Sequence, residues 1–206
     1  MNTSGDDLEL KDRLTLIETM IAEGRRSTES WGWSFVLWGV AYFVAIVWAA
    51  WGRSLSLWGG NHLAWPVTMI AACILTAVIG MRMGRGNPET TMGRAAVSIW
   101  ISVGISMLLV FPALSVAGRV DQHGFVALAA SMLGLANGAS ALILRWKMQF
   151  ACAVVWWATS VAACFGSEEQ LTVLFLTALF LCQIVFGIYA MVCESRRRSR
   201  QGATHA

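Results

Sequence analysis

Residues 34–52 read SFVLWGVAYFVAIVWAAWG. Eight of these positions are Phe, Val, Leu or Ile, and none carries a charge. Each such residue favours membrane insertion by about 0.3–0.6 kcal/mol at a helix centre, whereas one Arg there would cost about 2.5–3.5 kcal/mol. An α-helix needs about 20 mostly apolar residues to cross the hydrocarbon core. The stretch therefore predicts a membrane-spanning helix.

The same pattern extends along the chain. Runs without Asp, Glu, Lys or Arg occupy 30–52, 54–81, 95–118, 122–144, 148–167 and 170–193. None alternates polar and apolar residues as a transmembrane β-strand would. Of the 206 residues, 57% are hydrophobic and only 13% are charged, about half the charge of a soluble domain. That excludes an ordinary soluble enzyme and a disordered chain. It also leaves no room for a second domain. The expected fold class is all-α: an integral membrane six-helix bundle, both termini cytoplasmic, preceded by a short amphipathic helix. The expected spans are about 33–52, 64–82, 95–116, 125–144, 149–166 and 171–193, forming one transmembrane domain over 33–193. The fifth is the shortest and carries Thr159, Ser160 and Cys164. A cytoplasmic segment, 1–32, precedes the domain, and a basic tail, 194–206, follows it.

Orientation follows from the basic residues. Thirteen of the 15 Lys and Arg fall in the N-terminal segment, the second and fourth loops and the tail; Arg53 and Arg119 lie on the other side. The positive-inside rule then places both termini in the cytoplasm. Residues 1–30 hold seven acidic and four basic groups, unlike the basic start of a cleavable signal peptide, so the first span is expected to act as the insertion signal. Trp31, Trp33, Trp48, Trp51, Trp58, Trp65 and Trp146 fall at span edges, where indole rings favour the headgroup layer. Trp156 and Trp157 fall mid-span, where packing or lipid contact is the expected role rather than a ligand cage.

Residues 4–24 read as a separate amphipathic helix ended by Gly24. Leu10, Leu14, Ile17 and Ile21 recur at spacings that put them on one stripe. A membrane-surface helix would carry Lys and Arg opposite that stripe, and this segment is acidic. A partner-binding helix fits better, with folding back onto its own bundle as the competing possibility.

No Asp, Glu, Lys, Arg or His lies in any expected helix core. Proton-coupled transporters and intramembrane proteases need such groups, so both classes are disfavoured and no catalytic residues are expected. Gly84-Arg85-Gly86 lacks the Walker spacing for a phosphate site. His62, His123, Asp121 and Glu168-Glu169 could meet outside the membrane, but no ligand spacing supports a metal. Cys73, Cys152, Cys164, Cys182 and Cys193 form no CxxC pair, so neither a disulfide framework nor zinc is indicated. No cofactor and no nucleic-acid partner are expected.

The remaining polar candidates are Asn137 and Gln183, with scattered Ser and Thr. Gly134-Leu135-Ala136-Asn137-Gly138 is a GxxxG pattern whose small residues permit close helix approach and whose Asn could bond across the contact. Helix packing is the expected role of Gly134, Asn137 and Gly138. Similar small-residue stripes run through Ala41, Ala45 and Ala49, and through Ala72, Thr76, Gly80 and Gly84. Pro112 is expected to kink the third span. No internal repeat marks the inverted halves of a transporter.

The stretch IAEGRRSTESWGWSFVLWGVAYFVAIVWA, residues 21–49, resembles the start of uncharacterised bacterial polytopic inner-membrane proteins with a short N-terminal cytoplasmic helix. The resemblance covers the first quarter of the chain and implies a bacterial inner-membrane location without supplying an activity. The function expected is non-catalytic: an accessory or regulatory membrane subunit that engages a protein partner through its N-terminal helix, surrounded by lipid, with a homo-oligomer as a further expected partner state. The alternative is a small-solute transporter or channel whose cavity Asn137, Gln183 and the mid-span Trp residues would line.

Overall fold

The structure, a computed structural model, describes residues 3–55, 61–83, 91–119 and 121–203. The Trp58-Gly59-Gly60 turn, the Gly84-Arg85-Gly86 stretch and His205 lie outside these, as does the side chain of His62.

Among the described residues every regular element is a helix. The order is α1 (Thr3–Ser30), α2 (Gly32–Leu55), α3 (Asn61–Met83), α4 (Thr91–Val116), α5 (Gln122–Leu144), α6 (Lys147–Ala163), α7 (Glu168–Leu179), a π-helical segment (Phe180–Val185) and α8 (Phe186–Ala203). Among the described residues, five stretches are long and apolar enough to cross a membrane: Gly32–Ala49, Ala64–Arg82, Thr91–Leu114, Gln122–Leu144 and Glu168–Arg200. The chain is thus an all-helical protein with the helices of a multi-pass membrane protein. α6, expected as the fifth of six spans, has 17 residues, about 26 Å of helix and the lower limit for covering the hydrocarbon core. It ends at Ala163 because the chain turns there: the Phe165 and Gly166 N–H groups both donate to Ala162 O.

The contacts group into two compact units interleaved in sequence, Met1–Ser30 with Glu89–Leu171 and Trp31–Pro88 with Thr172–Ala206. The division arises because α1 packs on α4 and α5, whereas α2 packs on α3, the π segment and α8.

In the first unit, α5 and α6 form the most extensive helix pair. Asp121 caps α5, its Oδ1 accepting from the Gly124 N–H at 2.8 Å. The helix closes on Arg145 in the left-handed conformation (φ 50°), with the Trp146 N–H donating to Ala141 O at 2.9 Å. The hairpin is then tied at the end away from this turn. Ser160 Oγ donates to Ala127 O at 2.7 Å, and His123 Nδ1 donates to Ala163 O at 2.9 Å. Phe111 of α4 packs on Phe125 of α5 with centroids 4.7 Å apart.

α1 runs six residues beyond Gly24, the expected stop. A Cβ at Gly24 would stand 2.6 Å from Met92 Cβ and 2.9 Å from Leu144 Cδ2. Gly24 is therefore a point of close approach to α4 and α5, not a helix terminator. At the next residue, the Arg25 guanidinium lies 5.3 Å over the Trp146 ring, and Arg25 Nε pairs with Glu29 at 3.3 Å. Trp146 is consequently buried. It was expected in the interfacial belt; α1 covers it instead.

In the second unit, α2 and α8 cross at Gly32 and Gly187. A Cβ on Gly32 would meet Gly187 O at 2.9 Å, and one on Gly187 would meet Gly32 O at 2.8 Å. Phe35 and Phe186 pack edge-on beside the crossing, with centroids 5.2 Å apart. Tyr42 of α2 is enclosed by Trp38, Trp65 of α3 and Phe175 of α7. Trp31 and Trp33 stack with centroids 5.8 Å apart, and the Trp31 ring lies over Gly80 near the end of α3.

Candidate functional site

Three regions hold the residues singled out above. The first is α1. Leu10, Leu14 and Ile17 are 58%, 53% and 50% exposed, while Ile21 is partly covered and Gly24 is buried. At 100° per residue these positions share one side of the helix. The face that docks at Gly24 therefore continues outward as an uncovered apolar strip. Leu10 lies 14 residues before Gly24, about 21 Å of helix beyond the contact. Residues 9–19 are exposed throughout, and Glu9, Asp12, Glu18 and Glu23 outnumber Lys11 and Arg13 along this arm.

The second region is the α5–α6 hairpin. Gly134 and Gly138 do not bring two backbones together directly; the Trp157 indole lies across both. A Cβ on Gly134 would stand 2.6 Å from Trp157 Nε1, and one on Gly138 would stand 2.8 Å from Trp157 Cη2. Trp157 remains 38% exposed and meets Phe150 edge-on. Asn137 does not bond across a helix contact as its motif suggested. Its Nδ2 donates back to Leu133 O at 2.9 Å, and its Oδ1 is buried without a partner.

Asn137 is not alone. Thr68, Thr76, Ser98, Ser102, Ser106, Thr159 and Thr177 each donate to the carbonyl four residues back, the usual way a hydroxyl is accommodated in a buried helix. Ser140 does not: its Oγ is buried and unbonded, as are both Nε2 and Oε1 of Gln149. Asn137, Ser140 and Gln149 are all fully buried. Each unsatisfied atom of this kind costs about 1–3 kcal/mol, so four in one hairpin are a substantial local penalty. Sequence reasoning passed over two of the three. Ser140 was grouped with ordinary hydroxyls, and Gln149, two residues after Lys147, read as the edge of a span.

The third region is the π segment. Cys182 and Gln183 are buried there, and Gln183 Oε1 has no partner. Gly39 of α2 makes room for it: a Cβ on Gly39 would lie 3.0 Å from Gln183 Cβ and 2.9 Å from Ile184 Cγ1. Single π turns inside α-helices often mark functional positions.

The polar groups on the far side of the hairpin serve structural bonds. Asp121 caps α5, His123 ties α5 to α6, and Gln122 Nε2 donates to Glu168 O at 3.3 Å. No group of three or more His, Cys, Asp or Glu that could hold a metal occurs among the described residues.

Comparison with protein families, with curated proteins and with solved structures finds no match for this chain.

Proposed function

We propose that the chain is a six-span protein of a bacterial inner membrane, with both termini cytoplasmic, and that it serves as a non-catalytic accessory or regulatory subunit. Its N-terminal arm grips the partner. The observation that carries this reading is the apolar face of α1, docked at Gly24 and left open at Ile17, Leu14 and Leu10. An exposed strip in lipid needs no explanation. A strip on a helix that begins in an acidic, water-facing segment does, because apolar area left in water forgoes about 25 cal/mol per Å². The arm's acidic surplus favours a helical partner with an apolar stripe and basic flanks.

Six spans are supported by the charge-free run 148–167 and by the 13 basic residues that a six-span topology collects on one side. In that arrangement α6 is a short span tied to α5 by the Ser160 and His123 bonds.

The test is a photo-crosslinking amino acid at position 14 in native membranes, followed by mass spectrometry. A single protein species should crosslink, and the triple change Leu10→Ser, Leu14→Ser, Ile17→Ser should abolish copurification while leaving the thermal midpoint within a degree or two. A crosslink only to a second copy of the chain would make the arm a self-association device. Copurification unaffected by the triple change would overturn the proposal.

A further inference from the structure

We infer that one face of α8 binds the phosphate of an anionic phospholipid. Tyr189, Val192, Arg196 and Arg200 follow one another at intervals of three, four and four residues. At 100° per residue they fall within about 80° of one another around the helix. Gly187 and Ala190, which meet Gly32 of α2, lie about 120–180° from the middle of that face. Tyr189, Val192, Arg196 and Arg200 are all exposed. The face is therefore the one that α8 turns away from α2 and toward lipid. The helix carries it without a break from the apolar span to the two arginines.

Depth and charge select the ligand. The charge-free run ends at Cys193, so Arg196 and Arg200 stand about 4.5 and 10.5 Å past it. The headgroup layer is roughly 5–7.5 Å deep on each side of the bilayer. Helical side chains lean toward the helix N-terminus, here toward the bilayer, so the long Arg200 stem returns its guanidinium to that layer. The two residues are i and i+4 neighbours with Cβ atoms about 6 Å apart, close enough for both guanidinium groups to bond one phosphate. Tyr189 and Val192 then lie along the upper part of an acyl chain. The phosphate of a zwitterionic lipid is already matched by the cation of its own headgroup, whereas that of an anionic lipid is not. Arg197 and Arg198 turn about 100° and 200° from Arg196. Arg197 is half-buried and Arg198 pairs with Glu194. A general attraction between a basic tail and the membrane would use all four arginines alike; this site uses two.

The experiment is native mass spectrometry of the full-length protein, equilibrated in detergent with equal amounts of phosphatidylglycerol and phosphatidylcholine. The first lipid retained should be phosphatidylglycerol by about fivefold, the factor for one arginine at an anionic surface. Arg196→Gln with Arg200→Gln should bring the ratio to about one. Arg197→Gln with Arg198→Gln, an equal change of net charge, should leave it within about twofold of the parent. Both pairs lie beyond the apolar span. Equal retention of the two lipids by the parent would overturn the inference. So would equal losses in the two variants, which would assign the preference to net charge. A ratio unchanged by the first variant would overturn it as well, because the lipid would then bind elsewhere.

Discussion

The seating of Trp157 on Gly134 and Gly138 permits a prediction with a change of sign. Carbon atoms in contact stand about 3.5–4.0 Å apart. A methyl group on Gly138 would lie 2.8 Å from Trp157 Cη2, at the outer end of the ring, so the ring must retreat by about 0.7 Å. A methyl group on Gly134 would lie 2.6 Å from Nε1 and 3.2 Å from Cγ, close to the root of the side chain. The retreat there is similar but harder to make, since Cγ moves only with the backbone or a change of rotamer. Overpacking of this kind costs about 1–3 kcal/mol, while replacing Gly by Ala inside a helix returns about 0.8–1.0 kcal/mol. Gly134→Ala should therefore destabilise the protein by up to about 2 kcal/mol, and Gly138→Ala by less, because the exposed outer ring can swing toward lipid. In a Trp157→Ala background nothing obstructs the methyl group, and the same Gly134→Ala change should stabilise by about 1 kcal/mol. The four proteins of this cycle can be compared by unfolding in mixed micelles of rising SDS content. A coupling of about 1–3 kcal/mol, the overpacking term itself, is expected. Equal effects of Gly134→Ala in the two backgrounds, within about 0.5 kcal/mol, would refute the claim that the indole occupies the glycine groove.

Two further outcomes follow from the first unit. Gly24→Val places two methyl groups against Met92 and Leu144 and should lift α1 from the bundle; limited proteolysis should then cut within residues 20–30 at least tenfold faster than in the parent chain. Arg145→Gly removes a side chain held at φ 50°, a conformation that costs a non-glycine residue about 1–2 kcal/mol, and should raise the SDS midpoint; an unchanged or lowered midpoint would refute the left-handed cap.

How much of this could be read beforehand depends on which forces act locally. The helices follow the charge-free runs because the cost of a charge at membrane depth is a property of single residues, and 122–144 delimits α5 almost to the residue. Gly24 misled because a glycine that ends a helix and one that admits a neighbouring helix are the same residue in sequence. Only Met92 and Leu144, 68 or more positions away, distinguish them. Trp146 misled likewise: its place beside Arg145 and Lys147 suited the headgroup layer, and the long-range contact with Arg25 decided otherwise. The polar site was half legible. Asn137 attracts notice as a lone amide in an apolar run, whereas the unbonded state of Ser140 depends on where its hydroxyl fails to go. Gly32 and Gly187 carry no local motif that pairs them, and Gly39, seven residues after Gly32, was a signal available on the same helix face.

The π segment has a consequence for the chain beyond it. A π turn holds about one residue more than an α turn, and each residue in an α-helix advances the side-chain direction by about 100°. Gly187 faces Gly32 only because that surplus residue precedes it. Deleting one residue from Phe180–Val185 would restore uninterrupted α-helix, at no cost in hydrophobic length. It would also turn Gly187, Ala190 and the Arg196–Arg200 cluster by roughly a quarter of a revolution. The extra residue thus sets the angular position of everything C-terminal to it.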